Sequence, residues 1–99
     1  MRKILLDLHV PKTPEQVQRY LALELDMPDD YGENLDALYD MLTEITEDTC
    51  IGIFRTEADP VMARYLHKVK RVFRDAEDVN PHLGVLFDIL EENYVEDEL

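Results

Sequence analysis

A chain of 99 residues with 45% apolar side chains has room for one domain around a single modest core, and not for two. Its net charge of -13, from 23 acids and 10 bases, sets it against nucleic acid and anionic membranes, which would repel it, and points to a basic protein as partner. Cys50 is the single cysteine, which excludes an intramolecular disulfide and any metal cluster built from the cysteines of one chain.

The opening MRKILLDLHV carries two bases, but its apolar run is interrupted by Asp7, unlike that of a signal peptide. No stretch approaches the roughly 20 apolar residues needed to span a bilayer. The expectation is a soluble cytoplasmic protein, monomeric when free.

Residues 3–10 are rich in Ile, Leu and Val and end before Pro11, the pattern of a buried strand. Thr13, Pro14 and Gln16 then supply an N-cap, a proline at the first helical position and a capping-box partner, so a helix is expected from there to about Leu25. Pro28 and Gly32 mark a loop over residues 26–32, and a second helix is expected over roughly residues 34–46. Residues 49–54, brief and β-branched, read as a second buried strand. Asp59-Pro60 opens a third helix, in which Met62, Tyr65, Leu66, Val69, Val72, Phe73 and Ala76 recur at spacings of three and four until Asn80-Pro81 stops it. Residues 83–90 form a third apolar run, and 91–99 an acidic tail. Strands alternating with helices imply an α/β fold with a parallel sheet covered by helices.

The acids are not spread evenly. Between Tyr20 and Phe54 there is no Lys or Arg, while Glu24, Asp26, Asp29, Asp30, Glu33, Asp36, Asp40, Glu44, Glu47 and Asp48 all fall there. At 100° per residue, Leu35, Leu38, Leu42 and Ile45 gather on one side of the second helix, and Glu33, Asp36, Asp40, Glu44 and Glu47 on the other. Like charges four residues apart, as in Asp36–Asp40 and Asp40–Glu44, cost a helix about 0.2–0.5 kcal/mol per pair. Glu33 and Asp36 gain from the dipole at the helix start, but Asp40 and Glu44 lie beyond its reach. A helix built for stability alone would interleave bases, so the row reads as a field kept for a partner, against the plainer alternative of a solvated face.

The run Tyr31-Gly32-Glu33-Asn34-Leu35-Asp36-Ala37-Leu38-Tyr39-Asp40-Met41-Leu42-Thr43 resembles the barstar family's Y-G-x-N-L-D-A-L-x-D-x-L-T signature without a gap. The first strand, the loop with Pro28, the stretch Val72-Phe73-Arg74-Asp75-Ala76 and the closing strand are similar to the family in the same order. The resemblance implies a barstar-like α/β fold, a three-stranded parallel sheet packed against three to four helices, over residues 1–90. It implies a non-catalytic inhibitor of a secreted, basic, barnase-like microbial ribonuclease. The second helix and its preceding loop would plug the nuclease cleft, with Asp40 standing in for a substrate phosphate and Asp36 beside it.

Tyr31, Gly32, Asn34, Leu35, Tyr39, Thr43, Glu44 and Asp75 are the expected companions in the contact. Gly32, Asn34 and Leu35 have plainer roles too, as turn, helix cap and core. Tyr39 and Ile45 stand where the family's best-known member has larger aromatics, Asp30 where it has a further aromatic, and Asp75 where it has a longer acid. Those departures imply an altered partner surface.

Two alternatives stay open. An immunity or regulatory module for another basic protein or toxin would use the same fold and helix. A carboxylate-dependent metal hydrolase would use Asp36 and Asp40, but no nucleophile with an adjacent base is evident, His9, His67 and His82 lack i, i+4 metal spacing, and the EF-hand pattern is absent. No cofactor is expected.

Overall fold

The computed structural model describes residues 1–90; the acidic tail falls outside them. In chain order the elements are β1 (Arg2–Leu6), α1 (Pro14–Glu24), α2 (Leu35–Thr43), β2 (Thr49–Phe54), α3 (Pro60–Val79) and β3 (Leu83–Ile89). The three strands form one parallel sheet in the order β1-β2-β3. This is the expected α/β architecture, with three helices among the described residues.

Helix starts fall where the capping residues put them. Thr13 Oγ1 accepts the Gln16 N–H at 3.1 Å, Asn34 Oδ1 the Ala37 N–H at 2.8 Å, and Asp59 Oδ1 the Met62 N–H at 2.9 Å. Each satisfies a donor that the first helical turn leaves without an intrahelical partner. At α1 the second half of the capping box is displaced by one residue, since Gln16 Oε1 accepts from Lys12 N, at 2.7 Å, rather than from the cap itself.

Element ends depart more from expectation. β1 stops at Leu6, not at residue 10. There the Asp7 N–H turns to the Tyr20 hydroxyl at 2.7 Å, and the Asp7 side chain and carbonyl accept from the amides of His9 and Val10, which curls the chain out of the ladder. α2 ends at Thr43 rather than 46, where the Asn80 side chain takes the carbonyl of Leu42 in its last turn and that of Ile45 just beyond it.

The core lies between the helices and one face of the sheet. Leu6 of β1, Ile51 and Ile53 of β2 and Leu83 and Val85 of β3 meet Val17 and Leu21 of α1, Leu38 and Leu42 of α2, and Leu66, Val69, Phe73 and Ala76 of α3 in one buried cluster. The topology explains this one-sidedness. Both crossovers step the same way along the sheet, and right-handed crossovers in one direction put every helix on the same face. The order also never reverses, so the sheet lacks the switch-point crevice in which doubly wound α/β proteins bind their ligands. No helix of the described residues is long and apolar enough to cross a membrane.

Candidate functional site: an acidic face on the second helix

α2 is only nine residues long, and it is held from both ends and from beneath. Beneath, Leu38 and Leu42 are fully buried, while Leu35, Tyr39, Met41 and Ile45 are half-buried against the same cluster. The outward residues Asp36 and Asp40 are exposed, and Glu44, the C-cap, is exposed as well. The five-acid helical row expected from periodicity is therefore shorter than it looked. Glu33 precedes the cap and Glu47 follows the helix, so Asp36 and Asp40 alone project from the helix proper, with Glu44 at its end.

The loop leading into α2 is fixed by a buried polar hub. Tyr31, only 9% exposed, donates its hydroxyl proton to Gln18 Oε1 of α1, and Gln18, 2% exposed, donates from Nε2 to the Tyr65 hydroxyl of α3 at 2.8 Å. One glutamine thus ties the loop to two helices. Burial pushes the Tyr31 phenol up to about 12, with Tyr65 and Glu33 adding to the effect, so the hydroxyl stays a neutral donor.

Beyond Tyr31 the chain makes its left-handed step at Glu33, with φ of 54°, and not at Gly32. Gly32 serves closeness instead: a Cβ there would sit 3.3 Å from the Ala37 Cβ and 3.4 Å from Asn34 Nδ2. Asn34 spans the junction, its Oδ1 capping the helix and its Nδ2 donating to the Gly32 carbonyl at 3.2 Å.

The far end is held by Asn80, the C-cap of α3, which is 4% exposed. Its Nδ2 donates to the carbonyls of Leu42 at 2.9 Å and Ile45 at 3.0 Å, and its Oδ1 accepts the His82 N–H at 2.9 Å. Sequence reading gave Asn80 only the role of ending α3 and passed over Gln18. Both are polar residues buried by partners far along the chain, and no local pattern announces such a pairing.

Against this satisfied framework, the acids of the face stand apart. Among the described residues, none of Asp26, Asp29, Asp30, Glu33, Asp36, Asp40 and Glu44 forms an ion pair, and none of their carboxylates accepts a hydrogen bond. α2 has no base in its last turn, and Glu44 there is set against the helix dipole. The face is thus a concentrated negative field on a rigid support, able to receive Arg, Lys or protonated His groups with its acceptors uncommitted.

The remaining expected site residues are placed as follows. Tyr39 borders the face half-buried. Thr43, also half-buried, donates its hydroxyl to the Asp40 carbonyl at 3.0 Å. Asp75 is exposed on α3, the helix against which α2 packs. Leu35 lies half-buried at the first turn, Gly32 and Asn34 are exposed in the loop, and Tyr31 lies behind it.

Comparison with curated proteins returns no match. A family model described as Barstar (barnase inhibitor) matches residues 1–92, and on that near-complete match the chain belongs to the barstar family.

Proposed function

We propose that the chain inhibits a basic, barnase-like ribonuclease by seating α2 and residues 31–34 in the enzyme's cleft. The observation that carries this reading is the face of Asp36, Asp40 and Glu44, exposed and without an internal partner on a helix whose every other anchor is satisfied. Asp40 takes the place of a substrate phosphate, because a carboxylate accepts paired hydrogen bonds from guanidinium as a phosphate does, and Asp36 stands one turn away on the same side. Tyr39, Thr43, Glu44, Leu35, Asn34, Gly32 and Asp75 border that contact. Tyr31, whose hydroxyl is spent inside the molecule, serves by holding the loop in shape. No step of catalysis is assigned to this chain, and its place of action is the cytoplasm of the cell that makes the nuclease.

The test is titration of a purified barnase-type ribonuclease with the protein and with Asp40→Asn. One-to-one loss of RNA cleavage is expected for the native chain. Asp40→Asn should weaken it by about 1.5–3 kcal/mol, roughly ten- to 150-fold, with thermal stability unchanged or slightly raised by the relief of its acidic neighbours. Equal inhibition by the variant would remove Asp40 from the contact. Capture of a basic protein without nuclease activity through the same helix would replace the ribonuclease with another target.

A further inference from the structure

The bases of α3 are gathered as closely as the acids around α2. Arg64, Lys68, Lys70, Arg71 and Arg74 are half of the chain's 10 Lys and Arg, and no acid falls between Asp59 and Asp75. At 100° per residue they divide between two sides of the helix. Lys70 and Arg74 face β3, where Lys70 pairs with Asp88 at 3.1 Å and Arg74 lies over the Phe87 ring, 5.2 Å from its centre. Arg64, Lys68 and Arg71 are exposed on the other side and form no ion pair or hydrogen bond among the described residues. Arg64–Lys68 and Lys68–Arg71 are like-charged neighbours at spacings of four and three, an arrangement that works against the helix carrying it.

That other side borders α2. Gln18 links Tyr65 of α3 to Tyr31 just before α2, and Asn80 at the end of α3 holds the last turn of α2, so the two packed helices run side by side in the same direction. Met41, on the far flank of α2, lines a cleft with Leu25 and Met27, which leaves Leu35, Tyr39 and Thr43 on the flank next to α3. The surface therefore passes from Asp36 and Asp40, over a half-buried seam of Tyr39 and Val72, to Lys68, Arg71 and Arg64. Two fields of opposite sign lie side by side, and no described ion pair joins them.

The axes of packed helices lie about 8–10 Å apart, whereas a stable partner covers about 800 Å². A protein seated on α2 therefore meets the basic strip as well. Asp75, at the border of the contact proposed above, stands one turn from Arg71 on the same side of α3. We infer that the ribonuclease seated on α2 carries carboxylates beside its basic cleft, placed to receive Arg64, Lys68 and Arg71. The inference rests on the function proposed above and names what the partner must add to a basic cleft. An enzyme basic throughout would be repelled by this strip, against the gain made on α2. An enzyme of both signs is accepted in one orientation only, since turning it about sets acid against acid and base against base. The strip thus selects among ribonucleases that share the cleft.

The test uses the ribonuclease purified on the immobilised native chain from its source cells, with inhibition titrated and association followed by stopped flow. Lys68→Glu with Arg71→Glu, at two exposed positions where circular dichroism should stay native, should weaken inhibition by about ten-fold or more. The loss should lie chiefly in slower association and shrink as salt is added. Attraction between net charges alone predicts the opposite sign, because the variant is still more acidic and the enzyme basic. Lys68→Arg with Arg71→Lys should inhibit as the native chain does. Equal or tighter inhibition by the reversed pair, with Asp40→Asn still weakening, overturns this inference and leaves the proposed function standing. Absence of inhibition by the native chain, or inhibition untouched by Asp40→Asn, overturns the proposed function and this inference with it.

Discussion

Replacing Asn80 with alanine tests how the docking helix is held. The change removes three hydrogen bonds at once, leaving the carbonyls of Leu42 and Ile45 and the amide of His82 without that partner. A buried polar group stripped of its partner costs about 1–3 kcal/mol. The Leu42 contact is buried, though that carbonyl also accepts from the Ile45 amide at 3.5 Å, and the other two lie where water can reach, so the sum is about 2–3 kcal/mol. Against a total stability of about 5–15 kcal/mol, that is a large share. Urea denaturation followed by circular dichroism reads it: with a slope of about 1–1.5 kcal/mol per molar, the midpoint should fall by roughly 2 M. Asn80→Asp separates the parts of the argument. It keeps an oxygen for His82 but turns a carboxylate toward two carbonyls, so it should be at least as damaging as alanine at neutral pH. It should recover toward acid pH, where the protonated side chain donates again. A loss below about 0.5 kcal/mol for Asn80→Ala, or an aspartate variant milder than alanine at neutral pH, would refute the reasoning.

Two further outcomes follow from the loop before α2. Glu33 pays for a left-handed backbone that glycine adopts freely, so Glu33→Gly should raise the urea midpoint by the equivalent of about 0.5–1 kcal/mol; an unchanged or lower midpoint counts against strain at this position. Tyr31, with its phenol raised from 10.0 to about 12, stabilises the fold fully below pH 10, and that contribution drains away as pH climbs toward 12. Stability followed between those pH values should therefore fall more steeply in the native chain than in Tyr31→Phe; equal slopes would place the alkaline transition elsewhere.

Where elements begin was legible in the sequence, because the signals are local: Thr13, Asn34 and Asp59 each cap the residue three positions on. β2 was legible over its full length, since a short β-branched run buried in mid-sheet leaves little choice. The ends were misplaced where a distant side chain decides them. Tyr20 receives the amide just past the end of β1, and Asn80 closes α2 from 35 and 38 residues away. The acidic face was legible as charge, and Asp36 and Asp40 do project from the helix together. Periodicity alone extended the row to Glu33 and Glu47, because it assumes a helix longer than the chain builds. That Tyr31 is buried was not legible, because its hydroxyl partner Gln18 and that residue's partner Tyr65 lie on two other elements far along the chain.

The position of α2 inside the β1–β2 crossover has a practical bearing on imitation. Nine residues fall short of the roughly 12–15 at which an isolated helix is even marginal in water, and this one ends on Glu44, where its dipole resists an acid. A synthetic peptide copying residues 31–45 would keep Asp36, Asp40 and Glu44 and lose the shape, since Gln18, which holds Tyr31, and Asn80, which holds the carbonyls of Leu42 and Ile45, lie outside it. Whatever affinity the acidic face commands is therefore a property of the sheet and of the two longer helices as much as of the segment that makes the contact.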